Sequence, residues 1–302
     1  MDKSKRVVAM GFFDGVHLGH QALMHTARQR AGQLGATASV ITFDAHPDQV
    51  VSGACVRLLG TLDQRKELIR RVGGVDDILV IHFDRQFMQT PWQDFARSLC
   101  SRFGAIHLVM GWDFSCGYRG EGTAERMMTW CAENGLGCDV VPKVVLDDVV
   151  VSSTYIRRQI TAGDMERAAR FLGHPYAMWD TVIHGHQRGR RMGIPTINFP
   201  VPEGVLEPRH GVYAARAWLP DGPHPAVTNV GVRPTFRESG PVTVETNLLD
   251  YDGELYGAQV RVDFLAFLRD ERRFSSQGEL AEQIRRDIEA ARHYFRKEAD
   301  AL

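Results

Sequence analysis

The chain has no long apolar run. Nothing in it approaches the roughly 18 consecutive apolar residues of a spanning helix, so no membrane partner is expected. It has no excess charge of either sign: 36 Lys and Arg stand against 37 Asp and Glu, a formal net charge of −1. That gives no polybasic field for nucleic acid or an anionic bilayer, and any recognition of phosphate has to be local. Cysteine is sparse: five residues, at 55, 100, 116, 131 and 138, an odd number with no C-x-x-C pair. The pattern suggests neither a disulfide framework nor a zinc site and fits reduced thiols in a cytoplasmic protein. The basic stretch 1–6 is followed by only a strand-length apolar run, which is not the pattern of a signal peptide. The G-x-x-x-x-G-K-[ST] phosphate loop is absent, as are internal repeats and low-complexity linkers.

What is present is enough chain, 302 residues at 44% hydrophobic, for two ordinary domains. The first half alternates strand-length apolar runs (7–10, 38–43, 77–82, 105–110, 140–145) with helical patterns near 21–34, 62–71, 91–101 and 124–133. Such alternation predicts an α/β domain with a doubly wound parallel sheet, whose ligands bind beyond the carboxyl ends of the strands. Two short helices are expected between 151 and 173, broken at Gly163-Asp164. Short β-rich runs follow at 180–183, 211–218, 226–230, 242–249 and 259–267, separated by turn signals such as Pro220-Asp221-Gly222 and Asp252-Gly253. These predict an antiparallel β-barrel or sandwich, closed by a terminal helix over 277–296. The expected domains are 1–173 and 174–302.

The most informative stretch is Gly11-Phe12-Phe13-Asp14-Gly15-Val16-His17-Leu18-Gly19-His20. It leads from a strand into a helix pattern beginning near Gln21, where free N–H groups and the positive dipole end favour an anion. Glycines at 11, 15 and 19 permit close approach of phosphate, and two imidazoles in H-x-G-H can neutralise charge developing in a transition state. His46 and Asp113 also follow strand candidates, so His17, His46 and Asp113 are expected to face one crevice. Ser152-Ser153-Thr154 is an N-cap cluster. Ser153 and Thr154, with Arg157 one turn on, can hold β- and γ-phosphates. In the second half, glycines 185, 189 and 193 suit a loop wrapped around phosphates. Thr196 and Asn198 point the same way on an extended segment and offer hard oxygen ligands for Mg²⁺.

These segments resemble the bacterial bifunctional riboflavin kinase/FMN adenylyltransferases, or FAD synthetases, over nearly the whole chain. The opening motif resembles the family's H-x-G-H start. Phe43-Asp44-Ala45-His46-Pro47 is similar to its F-x-P-x-P loop, with Ala45 replacing a proline. Gly111-Trp112-Asp113-Phe114-Ser115-Cys116-Gly117 is similar to G-x-[DN]-F-x-F-G, with Cys116 in place of phenylalanine. The stretch 151–157 resembles S-S-T-x-I-R. The stretch 182–198 resembles V-x-x-G-x-x-x-G-R-x-x-G-x-P-T-x-N, 229–236 matches N-x-G-x-R-P-T-F, and 244–251 matches the V-E-x-H/N-x-x-D-[FY] strand. Asp180, before the first kinase strand, stands where the family has glycine.

The resemblance implies a nucleotidyltransferase-like first domain that adenylylates FMN to FAD with release of pyrophosphate, and a β-barrel kinase domain that phosphorylates riboflavin with ATP. Gly11, Phe12, Asp14, Gly15, Asp113, Ser153, Thr154 and Arg157 would then bind ATP in the first site, with His17 and His20 at the α-phosphate. Gly185, Gly189, Arg190 and Gly193 would bind it in the second. Glu245 would be the general base toward the riboflavin 5′-hydroxyl, Thr196 and Asn198 the Mg²⁺ ligands, and His46, Asn229 and Arg233 flavin contacts. Two alternatives stay open at this point: a riboflavin kinase whose first domain is weakened by Ala45 and Cys116, or a non-catalytic flavin sensor on the same fold. Oligomeric state is left open by the sequence.

Overall fold

The structure, a computed structural model, describes the chain except residues 1–4, 184–195, 233–241, 252, 254 and 301–302. It divides into two compact units, Met1–Ser153 and Thr154–Leu302.

In the first unit, β1 (Arg6–Met10), α1 (Leu18–Leu34), β2 (Thr37–Phe43), α2 (Pro47–Ser52), α3 (Leu62–Leu68), β3 (Asp77–Ile81), α4 (Arg85–Met88), α5 (Trp92–Ser101) and β4 (Ala105–Gly111) alternate. They are followed by the short pair β5 (Ser115–Cys116) and β6 (Gly122–Thr123), then α6 (Ala124–Glu133), β7 (Gly137–Val141) and the hairpin β8 (Val145–Leu146) and β9 (Val149–Val150). Five strands form a parallel sheet in the order β3-β2-β1-β4-β7. The apolar run of β1 is explained by its place at the centre, where Val7, Val8 and Ala9 are fully buried. The order reverses between β1 and β4, which opens a crevice at their carboxyl ends.

Several boundaries differ from expectation, among them the end of α3 at Leu68 rather than 71, and two of the differences have a visible cause. The last strand covers 137–141 rather than 140–145, because Asp139 is accommodated by a bidentate Arg30 (2.6 and 3.0 Å) and by His107 (2.9 Å). Helix α1 starts three residues earlier than its apolar pattern, at Leu18, because His17 caps it. The short helices α2 and α4 were not anticipated; each is capped by the side chain preceding it, His46 and Asp84.

In the second unit, α7 (Ser153–Ala162) and α8 (Met165–Leu172) are separated at Gly163-Asp164, as expected, with Asp164 capping α8. The strands β10 (Tyr176–Thr181), β11 (Thr196–Pro200), β12 (Gly211–Leu219), β13 (Gly222–Val232), β14 (Val242–Leu248) and β15 (Gln259–Asp270) precede the terminal helix α9 (Gln277–Asp300). Among the described residues the sheet order is β10-β15-β12-β13-β14-β11, all antiparallel. The sheet curls into a half-barrel, and the Ile183 N–H donates to Asn198 O at 2.9 Å, tying its two edges. Pro220-Asp221 forms the expected tight turn, with Leu219 opposite Gly222. The first strand lies at 176–181 rather than 180–183, so Asp180 sits within it, paired with Val260, rather than ahead of it. Helix α9 lays Ala291, Ile288 and Tyr294 on Val212, Ala214 and Val227. No helix among the described residues is long and apolar enough to cross a membrane.

Candidate active sites

The H-x-G-H turn leaves β1 at the point where the sheet order reverses, and its backbone is strained. Phe13 (φ 60°) and Val16 (φ 44°) adopt left-handed conformations, the second one rare for a β-branched residue. Five side chains or backbone groups hold it. Thr42 Oγ1 (2.9 Å) and Arg65 Nη1 (2.8 Å) donate to Phe12 O. The Leu59 N–H donates to the buried Asp14 Oδ1 (2.8 Å), Ser153 Oγ to Asp14 O (3.0 Å), and Gln21 Nε2 to Val16 O (2.8 Å). Strain of this kind persists only where the surroundings over-determine it.

His17 and His20 stack face to face, centroids 3.5 Å apart and 16° from parallel, and His17 Nδ1 accepts the His20 N–H at 3.3 Å. That acceptance fixes His17 Nδ1 as unprotonated. Gly19 suits this stack, since a Cβ there would stand 3.1 Å from His17 Cε1 and would press on the imidazole. His20 is held neutral. Desolvation first, then the stacked His17 and the Arg65 guanidinium, keep its pKa well below the usual value.

The other expected residues sort by strand end. His46 follows β2, caps α2 through Nδ1 to the Asp48 N–H (3.2 Å), and meets the Phe12 ring edge-on at 4.6 Å, which brings it beside the H-x-G-H turn. Asp113 follows β4 and is exposed, its carboxylate lying close over Gly111. Thr154 is exposed in the first turn of α7, and Arg157 follows one turn later on the same helix. Arg65, not anticipated, is buried between the turn and β2. Its only sequence signal is a charged residue on the apolar stripe Leu62, Leu68, Ile69.

In the second unit, strand register assembles a polar row. Glu245 on β14 is directly opposite Asn198 on β11 and Asn229 on β13, so the three side chains share one face of the sheet. Two residues along, Asn247 stands opposite Thr196; this position was not singled out from sequence, although it lies at i+2 from Glu245. Asn198 Nδ2 donates to Thr196 Oγ1 at 3.3 Å and to Thr196 O at 3.4 Å, which turns the amide and the hydroxyl toward each other. Gly185, Gly189, Arg190, Gly193 and Arg233 lie outside the described residues.

Residues 1–155 match the FAD synthetase family model, and residues 172–295 match the riboflavin kinase (flavokinase) model. A bifunctional riboflavin kinase/FMN adenylyltransferase of Listeria monocytogenes is 37% identical over 98% of this chain and 94% of its own. Those of Bacillus subtilis and Escherichia coli are 36% and 33% identical, over 97% and 96% of this chain and 94% and 92% of theirs. The chain belongs to this bifunctional family. A solved structure described as a macrolide-efflux protein from Streptococcus pneumoniae superimposes with a TM-score of 0.84 at 29% identity, covering 97% of this chain and 95% of that one; what the two share is the fold.

Against the family pattern, Cys116 removes an aromatic ring from the loop after β4. Trp92, the first residue of α5, lies against that loop. A Cβ on Gly122 would fall 2.6 Å from Trp92 Cβ and 2.7 Å from Cys116 Sγ. Trp92, Phe114 and Cys116 pack on the same core cluster, so the indole supplies apolar surface next to the position that lost it. Burial pushes the Cys116 thiol up to about 12, which makes it a small hydrophobe rather than a nucleophile.

Proposed function

We propose that this protein makes both flavin cofactors: its second unit phosphorylates riboflavin to FMN with ATP, and its first unit transfers AMP from ATP to FMN, releasing pyrophosphate and forming FAD. The observation that carries the reading is the occurrence, on one chain, of an H-x-G-H turn held in a strained shape at the switch point of a parallel sheet and a Thr196/Asn198/Glu245 row on a curled antiparallel sheet. Among the described residues no helix is both long and apolar enough to cross a membrane, and the five free cysteines fit a cytoplasmic enzyme of small-molecule substrates.

In adenylyl transfer an FMN phosphate oxygen attacks the α-phosphorus of ATP and pyrophosphate leaves. The reaction asks for positioning and charge neutralisation rather than a protein nucleophile. His17 and His20 do this: the His20 imidazole, kept neutral by burial, gains a reason to hold a proton when a triphosphate arrives, and so delivers positive charge where negative charge develops. The resemblance of 151–157 to S-S-T-x-I-R assigns Ser153, Thr154 and Arg157 to the phosphates that leave as pyrophosphate. Asp113 and His46 bound the nucleotide and flavin sides.

In the kinase, Glu245 takes the proton from the riboflavin 5′-hydroxyl as that oxygen attacks the γ-phosphorus, with Asn229 beside it at the flavin. The hydroxyl and amide oxygens of Thr196 and Asn198 form a donor set that suits Mg²⁺, which accepts few protein ligands and fills the rest of its shell with phosphate and water. When bound, Mg²⁺ neutralises charge on the ATP phosphates. The test is direct: purified protein is incubated with riboflavin, ATP and Mg²⁺, and FMN and FAD are separated by chromatography. Both should form in sequence. FMN without FAD would reduce the protein to a kinase, and neither product would leave a binding protein.

A further inference from the structure

Arg65 lies on α3 beneath the H-x-G-H turn, and is 2% exposed. A single nitrogen, Nη1, donates to Phe12 O (2.8 Å), Thr42 Oγ1 (3.1 Å) and Phe43 O (3.0 Å), so one atom ties the chain leaving β1 to the end of β2. The guanidinium also lies 3.9 Å from the centre of the Phe12 ring, whose other neighbour is His46, 4.6 Å away. Arg65 Nε and Nη2 are buried and find no hydrogen-bond partner among the described residues. Leaving two buried donors unmade is costly, and a methionine of similar length would avoid that cost. A brace needed only for stability would not be built this way.

We propose that Arg65 is a positioning residue for adenylyl transfer: its guanidinium holds the strained Phe12–Val16 turn, and through the Phe12 ring it sets His46, so that the two histidines and the β2 loop present one fixed surface to the nucleotide. This rests on the adenylyltransferase reading of the first unit. The charged neighbours agree with it. The Arg65 guanidinium faces Asp14 and Asp44, and burial brings its own pKa down to about 10. Its charge also helps keep His20 neutral until a phosphate arrives, beside His17, the other titratable group that bears on His20.

The test compares wild type with Arg65→Met, Arg65→Lys and Thr42→Val, measuring kcat and KM for FAD formation from supplied FMN, the melting temperature, and the His20 pKa by NMR. Wild type should make FAD. Arg65→Met should melt at or above the wild-type temperature, because replacing a poorly satisfied buried charge is often neutral or stabilising, yet lose about 10²-fold in kcat with a smaller change in KM. Its His20 pKa should rise, and Arg65→Lys, which keeps the charge, should restore that pKa without restoring kcat. Thr42→Val, removing one of the two donors to Phe12 O, should lower kcat about tenfold. A lower melting temperature with kcat within twofold of wild type would make Arg65 a structural brace and overturn the proposal. If Arg65→Met does not fold, normal kcat in the other two variants overturns it equally. A wild-type protein that makes FMN but no FAD overturns the adenylyltransferase reading itself and the positioning role with it.

Discussion

Replacing His20 by alanine is the sharpest probe of the first site. The ring stacks on His17 at 3.5 Å, touches the Phe13 ring at 5.2 Å and sits in the first turn of α1, behind the cap. Alanine is a good helix former there, and His17 still caps the helix by accepting the backbone N–H of residue 20, so the fold should survive. On the proposed mechanism, what is lost is one donor to the charge that develops on the α-phosphate. Removal of a single preorganised donor of this kind typically costs about 10²–10³ in rate, roughly 3–4 kcal/mol. FAD formation from supplied FMN should therefore fall by about that factor. Riboflavin phosphorylation should stay near wild type, since Glu245, Thr196 and Asn198 belong to a separate compact unit. Chromatographic assay of each half-reaction on the same preparation reads both numbers. An equal fall in FMN production would refute the division of labour between the two units, and unchanged FAD production would remove His20 from the site.

Glu245→Gln should do the reverse, lowering kinase turnover by about 10²–10⁴ while supplied FMN is still converted to FAD; near-normal phosphorylation would move the base elsewhere. Thr196→Ala should shift the midpoint of a Mg²⁺ titration of kinase rate to higher concentration, with partial rescue by added Mg²⁺, because the ion tolerates an incomplete octahedron poorly. An unchanged midpoint with collapsed riboflavin affinity would place Thr196 in the flavin pocket. His20 also gives the first unit an acid sensitivity. The unfolded residue takes up a proton near pH 6.5 and the folded one only well below that. Stability is therefore full above the unfolded value and declines as pH falls from there toward the folded one. Urea unfolding at pH 7.5 and 5.5 should show that slope in wild type and less of it in His20→Gln.

Most of the parallel sheet was legible because its strands are short and apolar and alternate with capped helices, a pattern few folds share. The departures have long-range causes. The strand at 137–141 includes the charged Asp139, and only the packing of Arg30 and His107 from other elements makes a charged residue tolerable there. The strand at 176–181 begins directly after His174-Pro175, where the turn signal hid it, and is fixed by its register with 259–264. In the site, the histidines were legible as a motif, whereas Arg65 was not. A lone arginine in an amphipathic helix reads as solvated surface, and its role exists only once Phe12, Thr42 and Phe43 converge on it. Asn247 was missed for a related reason. Its place opposite Thr196 depends on register, and register is set by the whole sheet rather than by any local signal.

On the proposed reading the two units meet the same difficulty, the negative charge of ATP, with different chemistry, and the sheets explain why. A parallel strand must hand its chain to a crossover, so the turn that leaves β1 runs into the N-terminus of α1. There backbone N–H groups, the helix dipole and imidazoles can all point at one phosphate. An antiparallel hairpin strand returns beside its neighbour and offers no helix end, so its polar groups must come from alternate side chains on one face. On β11 and β14 those are Thr196, Asn198, Glu245 and Asn247. Thr196, Asn198 and Asn247 are neutral and Glu245 is the carboxylate of the row, a set that on the proposed reading suits a divalent cation, whereas the imidazole turn would answer the same charge by protonation. Because the donors differ in kind and sit on separate units, His20→Ala and Thr196→Ala are expected to separate the two reactions rather than slow both.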